Sequence, residues 1–380
     1  MKKLLALSLS GLIILASCKK DEIQSNTANL PVRSGLINLP NIPFNYASPV
    51  LPNHYTRGPI VQADNTPSFN PVTNHGATLG RVLFYDKLLS KNATVSCASC
   101  HQNSNGFSDQ AALSNGFESA KTGRHSMSLA NSRYYANGRF FWDERAASLE
   151  QQVLLPIQDE VEMGMTLDSL IVRLNETDYY PTLFANAFEN GAINRINISF
   201  ALAQFVRSMI SVSSKYDEGR TRVNNPTDNF PNFSQTENRG KALFFSPAIG
   251  CAACHGTDAF IAPRARNNGL DLDNSADLGL AGASANQNDE GLFKVGSLKN
   301  IAFTAPYMHD GRFSNLREVI DHYNNGVKDN PNLSAPLRQP NNNIRRLNLS
   351  EADKDALVAF MGTLSDTAMM NDQKFADPFQ

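Results

Sequence analysis

Apolar residues along this chain recur mainly at helical spacing. Leu167, Leu170, Ile171 and Leu174 fall on one face of a helix, with Thr166 placed to cap it. Ile198, Ala201, Leu202, Phe205, Val206 and Met209 mark a longer amphipathic helix. Residues 351–364 predict a third, with Leu357, Phe360, Met361 and Leu364 on one side and Ser350 with Asp353 as an acidic variant of the capping box. Period-two alternation is poor, so the pattern predicts an all-α protein. Two stretches interrupt it. Residues 213–234 contain several Asn and Pro and read as a connection between two halves; residues 264–291, rich in Asn, Gly, Asp and Ala, read as a long loop.

The N-terminus predicts export. Lys2 and Lys3 precede an apolar stretch, Leu4 to Leu15, that is too short to span a bilayer. Leu15-Ala16-Ser17-Cys18 resembles a lipobox, whose Cys carries lipid and becomes the mature N-terminus; the plain alternative is an ordinary cleaved signal with a chance Cys. Residues 1–18 are thus read as a lipoprotein signal peptide and 19–53, rich in Asn, Pro and Ser, as a flexible tether. The expected location is the periplasm or cell envelope, with the lipid on Cys18 as the membrane anchor. The length of the remaining body suggests two domains, 54–213 and 214–366, followed by a tail, 367–380. A formal net charge of −2 and the lack of a basic cluster with interleaved aromatics argue against nucleic-acid binding.

The chemistry is concentrated in a repeated pentapeptide, Cys97-Ala98-Ser99-Cys100-His101 and Cys251-Ala252-Ala253-Cys254-His255. Two thiols at this spacing can add to the vinyl groups of a haem, and the adjacent His then lies under the ring as an iron ligand. A redox dithiol or half of a zinc site are the alternatives. Of five Cys, four lie in these motifs and the fifth is Cys18, which leaves none for a structural disulfide. Leu79–Phe84 and Arg239–Phe244 share the pattern x-Gly-basic-x-Leu-Phe ahead of each motif, which suggests two homologous haem domains.

Over about residues 70–365 the chain resembles the bacterial dihaem cytochrome c peroxidases and their relative MauG, which matures a tryptophan-derived cofactor. The resemblance rests on Leu79–Phe84, both haem motifs, Phe141-Trp142-Asp143-Glu144-Arg145-Ala146, Val161-Glu162-Met163-Gly164 and Phe293–Gly311. It implies two cytochrome c-like domains with long irregular loops and the haems near their interface, and it places the 264–291 loop over the second haem. Glu162 matches the family's distal acid-base glutamate; the plain alternative is a solvated surface carboxylate. Gln152 falls where a distal Gln orients peroxide, or is a helix-surface amide. Trp142, the only Trp, matches the tryptophan between the haems, where an indole can relay an electron; otherwise it is a core or interface Trp.

Two departures stand out. The family's His over the first haem falls on Phe117, so the first iron is five-coordinate or His125 has a new role, a plain structural His being the alternative. His125 also replaces an Asn that contributes to an interdomain calcium, whose other positions match Thr304 and Pro306. The second departure is above the second haem. The family's upper Met falls on Tyr323, as in MauG-like proteins; Met308 is the alternative ligand. The resemblance implies a secreted peroxidase with two covalent haem c groups that reduces hydrogen peroxide to water. His101 and His255 would be axial ligands, a small cytochrome c or similar periplasmic protein the donor, and a homodimer one assembly. MauG-like oxidation of a protein substrate through high-valent haem is the alternative enzyme, and a non-catalytic dihaem electron-transfer cytochrome the alternative of another class.

Overall fold

Two pairs of packed helices organise the fold. In this computed structural model, which describes residues 37–379, helix Asn74–Tyr85 packs on Arg195–Ser208 and helix Gln235–Phe245 on Glu351–Gly362. A glycine sits at each contact. A Cβ on Gly80 would lie 2.0 Å from the Ala201 carbonyl oxygen, and one on Gly240 would lie 1.8 Å from that of Ala356. The side chains of Phe205 and Phe360, one turn further on, close over the same glycines. The repeated x-Gly-basic-x-Leu-Phe pattern therefore has a physical cause. Only glycine lets the two backbones approach this closely, and Ala-x-x-x-Phe in the partner helix is the other half of the motif.

Each pair anchors its own core. Leu79, Leu83, Phe84, Leu202 and Phe205 belong to the first; Phe244, Phe260, Ile320, Phe360 and Leu364 belong to the second. A third cluster, with Tyr55, Ile60, Tyr134, Tyr135, Ile210 and Ile261, joins residues from both halves. Beside it, Lys299 donates to both Asp217 oxygens at 2.6 Å, and His54 Nε2 lies 3.1 Å from the same carboxylate. Arg124 spans the halves too, pairing with Asp143 at 2.6 Å and Asp277 at 2.7 Å.

The described residues are helical with long irregular connections, and their only β pairings are isolated bridges. Thr166 caps helix Leu167–Asn175, as its position predicts. Ser350 caps Glu351–Gly362, and its hydroxyl also reaches the Asp353 carboxylate at 2.6 Å. Three expectations change. The connection at 213–234 contains a helix, Lys215–Arg220, because Ser214 and Asp217 form a reciprocal capping box. The tether does not extend to residue 53: Tyr46 is buried, and its hydroxyl donates to the Lys374 carbonyl at 2.6 Å. The tail at 367–380 is no loose end either, since Met369 and Phe375 join the first core and Arg81 donates to the Gln373 carbonyl. The export signal, Cys18 and residues 19–36 of the tether lie outside the described residues. No described helix is long and apolar enough to cross a membrane.

Candidate haem sites and the path between them

Both pentapeptides occupy single helical turns, Cys97–Cys100 and Ala252–His255. In each, the His Nδ1 meets a backbone carbonyl: His101 that of Phe107 at 3.0 Å, His255 that of Phe260 at 2.9 Å. A carbonyl can only accept, so Nδ1 carries the proton and the Nε2 lone pair is left for a metal. Phe107 and Phe260 are buried and both adopt φ near +60° (+61° and +53°), which turns the accepting carbonyls the same way in the two halves.

Burial pushes Cys97 and Cys251 up to about 12, and Cys100 up to about 11. A redox dithiol needs the opposite, a lowered thiol, so this alternative loses its basis. Zinc fares no better: the described residues contain no group of three or more His, Cys, Asp or Glu able to hold a metal ion.

A large, mainly apolar cavity adjoins the second motif. Cys251, Cys254 and His255 form part of its wall, facing Phe244, Leu298, Ile320, Leu357 and Met361. Arg266 reaches the same cavity with its Nε buried and unpartnered. An apolar macrocycle bearing carboxylates would fill the space and satisfy that donor, so these residues fit haem c. Tyr323 and Met308 both line the cavity. Helix Leu316–Asp321 ends in a π-helical turn, His322–Gly326, that carries Tyr323. Burial raises the Tyr323 hydroxyl to about 12, against a hydrogen bond from the Asn268 side chain. The same amide donates to the Met308 sulfur at 3.3 Å. One Asn thus touches both candidate ligands, and nothing in the linear pattern singled it out.

Residues of the first half complete this cavity. Ser108, His125, Met127 and Trp142 line it beside the second-half residues. The Trp142 indole donates to the His125 carbonyl at 2.7 Å, the His125 amide donates to the His309 carbonyl at 2.7 Å, and the His309 ring meets Trp142 edge-on at 6.4 Å. His125 itself is buried with Nδ1 at the Ala111 carbonyl (3.1 Å) and Nε2 at Ser108 Oγ (3.2 Å). Both ring nitrogens are engaged by the protein, which gives His125 a structural place at the junction of the halves.

Near the first motif stands Glu162. It is half-buried, and its charge is felt by both Cys97 and Cys100. Burial raises its carboxyl to about 7; Asp159 adds to the shift and Arg145 opposes it. Arg145 pairs with Asp143 at 3.0 Å and lies 3.5 Å over the Phe141 ring, which leaves Glu162 weakly compensated. Phe117, at the position of the family's distal His, is buried, and its amide donates to the Glu162 carbonyl. Gly164, at φ +61°, accommodates the Phe117 ring: a Cβ there would sit 2.5 Å from it. Gln152 is half-buried at the end of helix Leu149–Gln152. Thr304 and Pro306 lie in the cavity wall of the second motif.

Comparison with known proteins agrees with this geometry. The family model described as di-haem cytochrome c peroxidase matches residues 74–224. A methylamine utilization protein MauG from Methylorubrum extorquens is 34% identical over 299 residues, 78% of this chain and 80% of that protein. A cytochrome c551 peroxidase of Nitrosomonas europaea is 30% identical, covering 64% of this chain and 71% of its own. Among solved structures, a MauG-like protein associated with microbial copper homeostasis superimposes with a TM-score of 0.72 at 32% identity, covering 82% of this chain and 95% of that one.

Proposed function

Because this chain belongs to the di-haem cytochrome c peroxidase family, in which the MauG proteins are grouped, we propose that it reduces hydrogen peroxide to water with electrons from a small cytochrome c or similar periplasmic donor. Cys97 and Cys100, and likewise Cys251 and Cys254, would hold haem c covalently, with His101 and His255 offering Nε2 to iron, and the haems would supply the redox chemistry. The chain's own task at the first site is proton transfer. Peroxide heterolysis needs a proton moved from the inner to the outer oxygen, and the half-buried Glu162 carboxyl, raised to about 7 beside Cys97 and Cys100, is the observation that carries the reading. Phe117, packed on Gly164, keeps this side apolar, and Gln152 orients peroxide. Trp142 relays electrons between the halves; its place in a wall shared by residues of both supports that role. We divide the body at residues 213 and 214, in keeping with its two cores.

The test is stopped-flow mixing with peroxide and steady-state turnover with reduced cytochrome c. Glu162→Gln keeps the shape and loses the shuttle, so the peroxide reaction is expected to slow by about 10²–10⁴-fold with both haems retained. Reaction at the wild-type rate would refute the assignment.

A MauG-like oxidation of a protein substrate is the second reading, and Tyr323 in the second cavity favours it. A phenolate stabilises oxidised iron, which makes removal of an electron from the second site easier than with Met308. The His125 side chain does not fit the family's calcium position. His125, at the position of the family's Asn, gives both ring nitrogens to protein partners and offers no hard oxygen donor. Lipid attachment through Cys18 is proposed on the lipobox alone.

A further inference from the structure

A redox-capable residue that the proposed reaction does not use is linked to Trp142 through Lys294. Tyr135 is fully buried, and its hydroxyl is hydrogen-bonded to the Glu144 carboxylate. Glu144 is itself only 2% exposed, and its second oxygen accepts from Asn137 Nδ2 at 2.6 Å. Its backbone lies at φ +54°, where a residue with a Cβ is strained, so the surroundings hold a glutamate here against local preference. Lys294 ties the pair to Trp142. Its amide donates to the Trp142 carbonyl at 2.8 Å, while its ammonium lies 3.7 Å over the Tyr135 ring and donates to the Arg139 carbonyl. The buried Lys294 gives the Glu144 carboxylate a counter-charge, so a base is held in direct contact with the phenol. A phenol that loses an electron becomes a strong acid, and a base in hydrogen-bond contact lets a buried one be oxidised.

We propose that Tyr135 and Glu144 form a proton-coupled redox site that stores one oxidising equivalent and is linked to Trp142 through Lys294. The proposal rests on the peroxidase reading, with hydrogen peroxide as oxidant. Trp142, having lost one electron, takes one from Tyr135 while the phenolic proton moves to the Glu144 carboxylate. An indole cation, a phenol and a carboxylate become a neutral indole, a neutral tyrosyl radical and a carboxylic acid, so charge, electrons and protons balance. When the donor's electron arrives, Tyr135 is reduced and takes its proton back from Glu144. The site keeps an oxidising equivalent off the haem-to-haem path until the donor docks.

The experiment mixes the diferric holoenzyme with stoichiometric peroxide and records frozen-solution electron paramagnetic resonance, with a parallel sample carrying ring-deuterated tyrosine. A tyrosyl radical is expected, its hyperfine structure collapsed by the label and its signal lost in Tyr135→Phe. In Glu144→Gln the radical yield should fall, and the solvent isotope effect on its decay should disappear. Both variants should retain two covalent haems and the optical response to peroxide. A wild type whose haem bands respond to peroxide without any tyrosyl radical overturns the proposal, as does an undiminished radical in Tyr135→Phe. If the wild-type haem bands do not respond, the peroxidase reading has failed; oxidation by a flash-quenched ruthenium sensitiser then decides, and no tyrosyl radical there overturns the redox site. Should Tyr135→Phe lose haem because Glu144 is left without its donor, Tyr135→Phe/Glu144→Gln removes charge and donor together and takes its place.

Discussion

Burial lifts the Glu162 carboxyl from 4.5 to about 7. The protonated form is therefore favoured by folding, and the stabilisation from this group is complete below 4.5 and lost as pH rises through about 7. Catalysis runs the other way, since the carboxylate is the form that accepts the first proton. The pH profile of kcat/KM for peroxide is expected to rise through a limb near pH 7 that Glu162→Gln lacks. The choice between Tyr323 and Met308 above the second iron separates the two enzyme readings. Tyr323→Phe is expected to change the second-haem electron paramagnetic resonance signal and raise that iron's potential, while Met308→Leu leaves both unaltered. The reverse pattern would make Met308 the ligand. The Cys and His of the pentapeptides were legible because covalent attachment requires those residues side by side in sequence. Glu162 and Trp142 were legible only through the resemblance; no local spacing marks a carboxylate as buried. Asn268 and Arg266 carried no linear signal, because their roles come from partners far away in the chain.

The crossing of helices Gln235–Phe245 and Glu351–Gly362 depends on Gly240. A methyl group 1.8 Å from the Ala356 carbonyl oxygen cannot be accommodated without parting the helices. Gly240→Ala should lower stability by about 1–3 kcal/mol or more, read as a loss in thermal midpoint with haem content checked in parallel. Gly80→Ala should act likewise in the first half, where the gap to Ala201 is 2.0 Å. The repeated hexapeptide is visible in the sequence, but its partner Ala-x-x-x-Phe pattern becomes legible only once the helices are paired. Helix Tyr180–Ala187 gave too little periodicity to predict, and Lys215–Arg220 was hidden in an Asn- and Pro-rich stretch whose capping box is nevertheless explicit. There the Asn and Pro content disfavours a helix and the Ser214–Asp217 capping box outweighs it.

Across the whole molecule, the halves are joined by an apolar cluster and a buried charge network. Lys299 is 0% exposed and faces Asp217. Burial alone would raise Asp217, yet Lys299 and His54 hold it at about 2. Its folded value lies below the ordinary 3.8, so this stabilisation is present above 3.8 and lost as pH falls to about 2; acid unfolding is expected to show that window by circular dichroism. Lys299→Met strands a buried carboxylate, and chemical denaturation should show a loss of about 3–5 kcal/mol. By itself the sequence determined the all-α class and the repeat, and it pointed to two haem attachment motifs and an export signal, because each is written in adjacent or evenly spaced residues. Only the tertiary structure decided that the stretch after residue 36 and the tail pack onto the first half. It also turned His125 away from a ligand role, and brought Trp142, Tyr323 and Met308 into one cavity wall. Those outcomes depend on contacts between segments up to several hundred residues apart (Tyr46 and Lys374 are 328 apart), which no local pattern encodes.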